Sequence, residues 1–108
     1  IEIKPDREEI PKAIAGGRVV YADWFKGYVM LLIIDHGNDY HSLYGNLSEI
    51  FLNTGDILTE GKDIGKIGTS TLLNFPTLYF EIRHKGKPVD PMEWLTRKSR
   101  TTNKIRIK

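Results

Sequence analysis

The side chains in this sequence that could do chemistry fall into two groups. The first is three histidines, His36, His41 and His84. Imidazole is the side chain that titrates near neutral pH and the commonest metal ligand, and three protein ligands with one open position would make a catalytic zinc site. Their spacing argues against that. His36 lies in the turn-like run His36-Gly37-Asn38-Asp39, and His41 and His84 flank turns of different hairpins, so the three read as exposed polar residues. There is no cysteine, which excludes disulfides and thiolate metal sites. The second group is the run Thr77-Leu78-Tyr79-Phe80-Glu81-Ile82-Arg83. On a strand alternate residues share a face, so Thr77, Tyr79, Glu81 and Arg83 project together while Leu78, Phe80 and Ile82 enter the core. A face bearing tyrosine and arginine is suited to binding, because each combines a large contact area with a directional polar group.

The elements that must position these residues are short and β-rich. Arg18 to Ala22, Tyr28 to Asp35, Tyr40 to Tyr44, Ile64 to Ile67 and Thr77 to Arg83 recur between turn signals, the pattern of an all-β, mostly antiparallel sheet or sandwich. Glycine and asparagine in His36-Gly37-Asn38-Asp39 tolerate positive φ, so the flanking runs should form a hairpin. If Asp35 pairs with Tyr40, Leu31 stands opposite Tyr44 and Val29 opposite Asn46, and these four share a face. A second turn is expected around Gly86. Asp90-Pro91 opens the one expected helix, a short C-terminal one with Asp90 as N-cap, which would lay Trp94 and Leu95 on the sheet. The expected core is Val19, Ile33, Leu43, Leu78, Phe80, Ile82 and Trp94.

Composition sets the frame. A chain of 108 residues with 40% hydrophobic and 28% charged residues is that of a globular domain with a single core. The longest apolar run, Val29 to Ile34, has strand length, far short of the ~20 residues that span a bilayer. Ile1-Glu2-Ile3 begins within a strand-like alternation, so the sequence reads as a piece of something longer. The net charge of +2 hides an asymmetry: Thr96 to Lys108 holds six of the 16 basic residues and no acid, leaving ten basic against 14 acidic residues in 1–95. A mildly acidic folded part argues against a nucleic-acid-binding core. The expected division is therefore a domain over 1–95, with its N-terminal part outside the sequence, and a basic, solvated tail over 96–108.

From Thr54 to Gly68 the sequence Thr-Gly-Asp-Ile-Leu-Thr-Glu-Gly-Lys-Asp-Ile-Gly-Lys-Ile-Gly places glycines where strands turn or pack backbone against backbone. Biotinyl and lipoyl carrier domains use such a ladder, but a carrier displays a modifiable lysine commonly flanked by methionine, and neither Met30 nor Met92 adjoins a lysine. Taken in order with Lys12-Ala13-Ile14-Ala15-Gly16-Gly17-Arg18-Val19-Val20-Tyr21-Ala22, Asp35-His36-Gly37, Leu43-Tyr44, Leu78 to Arg83 and Gly86-Lys87-Pro88-Val89-Asp90-Pro91, the ladder resembles the LytM (lysostaphin-type) zinc endopeptidase family from Ile1 to Leu95. The resemblance implies that family's duplicated hybrid β fold. Ser42-Leu43-Tyr44-Gly45 and Leu78 to Arg83 look most like its degenerate, EnvC-like branch of murein hydrolase activators.

Active LytM members bind zinc through a His-x-x-x-Asp segment and the last histidine of His-Leu-His-Phe-Glu, and use two further histidines, one in Tyr-Ala-His-Leu. The matching segments here are Tyr44-Gly45-Asn46-Leu47 and Thr77-Leu78-Tyr79-Phe80-Glu81, so Asn46, Thr77 and Tyr79 stand where the family has histidine. Glu2 falls at the ligand aspartate, and the first ligand histidine would precede Ile1. His36 matches a non-ligand histidine and is expected to cap its turn. Neutral asparagine and threonine, with a tyrosine, make a poor zinc site. The resemblance thus implies no catalytic residue, no metal and no cofactor. It implies a vacated groove of Tyr44, Asn46, Thr77, Tyr79 and Arg83, bordered by Leu31, Tyr28 and Glu2, that binds and activates an N-acetylmuramoyl-L-alanine amidase in cell-wall remodelling and cell division, in the periplasm or another extracytoplasmic compartment. A zinc endopeptidase and a passive peptidoglycan-binding module are the alternative readings.

Overall fold

The computed structural model describes residues 2–3, 10–25, 29–69 and 77–90. The described residues form nine strands: β1 Glu2–Ile3, β2 Gly17–Phe25, β3 Val29–Gly37, β4 Tyr40–Gly45, β5 Leu47–Ile50, β6 Ile57–Leu58, β7 Gly65–Ile67, β8 Leu78–His84 and β9 Lys87–Val89. Seven form one antiparallel sheet in the order β1-β8-β4-β3-β2-β6, with β9 pairing β8 beyond β1. β5 and β7 make a separate two-stranded ribbon. The described residues are all-β and antiparallel, as the spacing of β-rich runs implies. The helix expected from Asp90 onward, with Trp94 and Leu95, lies outside the described residues.

The core sits on one face of the large sheet. Val19, Leu32, Ile34, Tyr44, Leu58, Leu78, Phe80 and Ile82 from the sheet meet Ala13, Leu47, Leu52 and Ile64 from the ribbon and the loops in one buried cluster. The ladder glycines act as their spacing implies. A Cβ on Gly65 would stand 2.1 Å from the Glu49 carbonyl oxygen across the β5–β7 pair, so only glycine lets the two backbones close there.

The β3–β4 hairpin forms, but its register corrects the expected one. Asn38 and Asp39 both take left-handed φ, 53° and 63°, the pattern of a two-residue hairpin loop. Gly37 pairs with Tyr40 and Asp35 with His41, so a bulge at His36 inserts one extra residue into β3. Beyond it Leu32 faces Tyr44 and Ile34 faces Ser42. Strand periodicity is two, so a slip of one residue exchanges the faces of everything that follows. Ile33 and Leu43, expected in the core, are only half-buried, while Leu32, Ile34, Ser42 and Tyr44 take the core positions.

Candidate functional site

β8 carries the candidate site, and from Leu78 to Arg83 its alternation is the one its sequence implies, whereas Thr77, expected on the exposed row, is buried where the chain enters the strand. Leu78, Phe80 and Ile82 are buried, whereas Tyr79 is 41% exposed and Glu81 and Arg83 are partly so. Cross-strand pairing extends this face over the sheet. Tyr79 pairs with Gly45 on β4 and Glu2 on β1, Glu81 with Leu43, and Arg83 with His41 and Pro88. Leu43 in turn pairs with Ile33, and His41 with Asp35. Gly45 leaves an opening in the floor: a Cβ there would lie 3.4 Å from the Tyr79 Cβ and 3.8 Å from the Leu31 Cδ1, which places Leu31 beside Tyr79. The surface thus has an apolar centre of Leu31, Ile33 and Leu43 and a polar border from β8.

The polar border is internally bonded. The Tyr79 hydroxyl donates to Glu81 Oε2 and Arg83 Nε donates to Glu81 Oε1, while Arg83 Nη1 reaches the Gly86 carbonyl at 3.2 Å. Partial burial alone would push the Glu81 carboxyl up; the hydrogen bonds from Tyr79 and Arg83 and the guanidinium charge outweigh it, and the group titrates below its usual value. Tyr79 and Arg83 therefore present themselves held by a common carboxylate.

The other residues singled out from the sequence divide. Thr77 is buried just ahead of β8, its backbone N–H on the Gly68 carbonyl. Asn46 has left-handed φ of 61°, and its side-chain amide donates to the carbonyls of Gly68, at 3.2 Å, and Thr77. It locks the corner between β4 and β5 onto the segment entering β8. Asn46→Ala is expected to cost about 1–2 kcal/mol, with Asn46→Gly less damaging because glycine accepts the φ; urea melts of both variants check this. The backbone of Glu2 pairs beside Tyr79, its side chain is not described, and Tyr28 lies outside the described residues.

Tyr44 is a correction. The shifted register turns it away from Tyr79 into the core, 2% exposed, with its ring against Phe80 at 5.3 Å between centroids. Its hydroxyl accepts from the Ile14 N–H at 3.0 Å and shares a hydrogen bond with Ser42. Ser42 Oγ also meets His36 Nε2 at 2.7 Å, and His36 Nδ1 meets the Gly16 carbonyl at 2.8 Å. A carbonyl can only accept, so Nδ1 carries a proton and donates to Gly16. His36 therefore pins the loop at Gly16 to the sheet instead of capping its turn. The residues that sequence reasoning left out of the site are Gly45 and the anchoring role of Glu81; the parity of Gly45 with Tyr79 was hidden by the register error.

Zinc does not fit the residues present. At the positions matching the family's histidines, the Asn46 amide is spent on two carbonyls and the Tyr79 hydroxyl on Glu81. The three histidines do not converge. His36 is bonded as above, His41 lies 4.0 Å from Asp35, and His84 stacks on Tyr40 at 4.1 Å. Among the described residues no three His, Cys, Asp or Glu side chains form a group able to hold a metal ion.

The fold and this face are those of an M23-type domain. The family described as peptidase family M23 matches residues 1–91, and the chain belongs to it. It is 42% identical over 86 residues to the murein hydrolase activator EnvC of Escherichia coli K12, covering 80% of this chain and 20% of that protein. It is 38% identical over 96 residues to the murein hydrolase activator NlpD of the same organism, covering 88% of this chain and 25% of NlpD. The chain thus spans about a fifth to a quarter of these relatives' length. Among solved structures the peptidase lysostaphin of Staphylococcus simulans superposes with a TM-score of 0.76 at 24% identity, over 89% of this chain and 42% of that one, a likeness of fold.

Proposed function

We propose that this domain is a non-catalytic activator of a peptidoglycan hydrolase, and that its target is an N-acetylmuramoyl-L-alanine amidase engaged through the face of Tyr79, Arg83 and Leu31. The observation that carries the reading is that Asn46 and Tyr79, at positions matching family histidines, are committed to bonds within the protein itself. The names of relatives at 38–42% identity, murein hydrolase activators, support the regulatory role. A relative named outer membrane antigenic lipoprotein B, 42% identical over 98 residues, supports a site of action in the envelope outside the cytoplasmic membrane. Activation needs only that the domain bind an open amidase better than a closed one, which shifts the enzyme's population toward the open state.

The test pairs two assays on the purified chain, with and without added zinc: stimulation of a purified amidase on dye-labelled murein, and direct cleavage of cross-linked murein. Stimulation without cleavage is expected. About one zinc per chain together with chelator-sensitive cleavage would establish an endopeptidase instead, and murein binding with neither activity a passive module. Arg83→Ala and Tyr79→Ala are each expected to weaken stimulation by about 2 kcal/mol, close to thirtyfold in the half-maximal concentration, without a comparable loss of stability. Removing the basic tail over 96–108 is expected to matter much less. Normal stimulation by both variants, with loss on removing the tail, would move the functional surface to the tail.

A further inference from the structure

We infer that Glu81 is a positioning residue for the docking face, holding Arg83 and Tyr79 in the orientation a partner meets, and that the partner group received by Arg83 is a neutral acceptor such as a backbone carbonyl. The inference rests on the reading of this face as the docking surface. Glu81 is the least exposed member of the polar border: its side chain is 12% exposed, against 41% for that of Arg83. It lies between its two partners on one face of β8, and both carboxylate oxygens are used, Oε2 by the Tyr79 hydroxyl and Oε1 by Arg83 Nε. The Gly86 carbonyl fixes the guanidinium from the β8–β9 turn. An arginine side chain loses rotamer entropy when it is immobilised, and one already held loses less on binding.

This arrangement also selects the partner's chemistry. Nε and Nη1 are engaged within the chain, which leaves the N–H donors of Nη2 with no partner among the described residues. The positive charge is already balanced by Glu81. A second carboxylate brought to Nη2 would be repelled by Glu81 across the same guanidinium, whereas a carbonyl takes the donor without adding charge. Leu31, Ile33 and Leu43, half-buried beside the border, would take the partner's apolar side chains. A segment that offers free carbonyls next to apolar side chains, such as the last turn of an amphipathic helix, meets both demands.

The experiment compares Glu81→Ala and Glu81→Gln with the unaltered chain. The first readout is the Arg83 Nε–H resonance in a nitrogen-15 spectrum, which reports the clamp without any partner. It is expected to exchange slowly in the unaltered chain, to persist with glutamine, which keeps an acceptor for Nε, and to be lost with alanine. The second is amidase stimulation: the half-maximal concentration should rise by about tenfold or more for Glu81→Ala and within about threefold for Glu81→Gln. Loss of the resonance with unchanged stimulation overturns the positioning role. Should Glu81→Ala fail to fold, Glu81→Asp replaces it, since the shorter carboxylate keeps the charge but cannot reach both donors; an unchanged midpoint alongside an altered resonance is again fatal. Normal stimulation by Arg83→Ala and Tyr79→Ala would instead remove the docking reading beneath it. Raising salt from about 50 to 500 mM should move the midpoint by less than about threefold, and a loss beyond about tenfold would replace the neutral acceptor with a carboxylate.

Discussion

Replacing Phe80 with alanine is expected to destabilise the domain by about 3–5 kcal/mol, whereas replacing Tyr79, one residue earlier, should cost under about 1 kcal/mol. The two side chains are similar in size and adjacent in sequence, so the contrast isolates the face each occupies. Phe80 is 5% exposed in the cluster shared with Tyr44, Leu78 and Ile82, and removing its ring leaves a cavity that antiparallel backbones on both sides of β8 cannot collapse to fill. Tyr79 is 41% exposed, and its hydrogen bond to Glu81 is one that water can replace. Urea melts with the slope held common check this; equal losses for the two variants would mean that the assigned faces of β8 are wrong. The contrast also bears on function, because it makes Tyr79→Ala a clean probe of the docking face.

The second large effect is alkaline. Burial pushes the Tyr44 hydroxyl from 10.0 up to about 12, against the smaller opposing influence of its hydrogen bonds with Ser42 and Ile14. A phenol whose pKa is higher in the folded state binds its proton more tightly there. The stability it brings is complete below the unfolded value near 10 and is lost as pH rises through 10 toward 12. Two pH units correspond to about 2–3 kcal/mol, at about 1.4 per unit. Tyr44→Phe removes this dependence. At neutral pH it is expected to cost about 1–3 kcal/mol, because the Ile14 N–H and Ser42 lose a buried partner. Urea melts at several values between pH 9 and 11 should therefore show the unaltered chain losing stability faster than the phenylalanine variant. Parallel slopes would place Tyr44 in solvent. The outcome separates a core Tyr44 from one on the docking face, which the expected hairpin register would have given.

Local sequence determined what depends on neighbouring residues alone. The alternation of Leu78 to Arg83 sorts core from surface because strand geometry forces it, and the glycines from Gly55 to Gly68 mark sites where a Cβ has no room or the wrong φ; the positive φ of 98° at Gly55 and 87° at Gly61 is of that kind. A turn within His36 to Asp39 was equally readable, because glycine and asparagine tolerate positive φ, but its closing pair, Gly37 with Tyr40, was not. Tertiary structure decided the rest. The bulge at His36 is sustained by bonds to Gly16, 20 residues earlier, and to Ser42 across the hairpin, and no local pattern in β3 announces it. That single inserted residue reverses the parity of β4, sends Tyr44 into the core and leaves Gly45 to open the floor beside Tyr79. Asn46 likewise finds its partners 22 and 31 residues away. Composition and spacing fix which residues can form a strand and which face each would share, but register is a relation between strands, and it is settled only where distant backbone and side-chain groups meet.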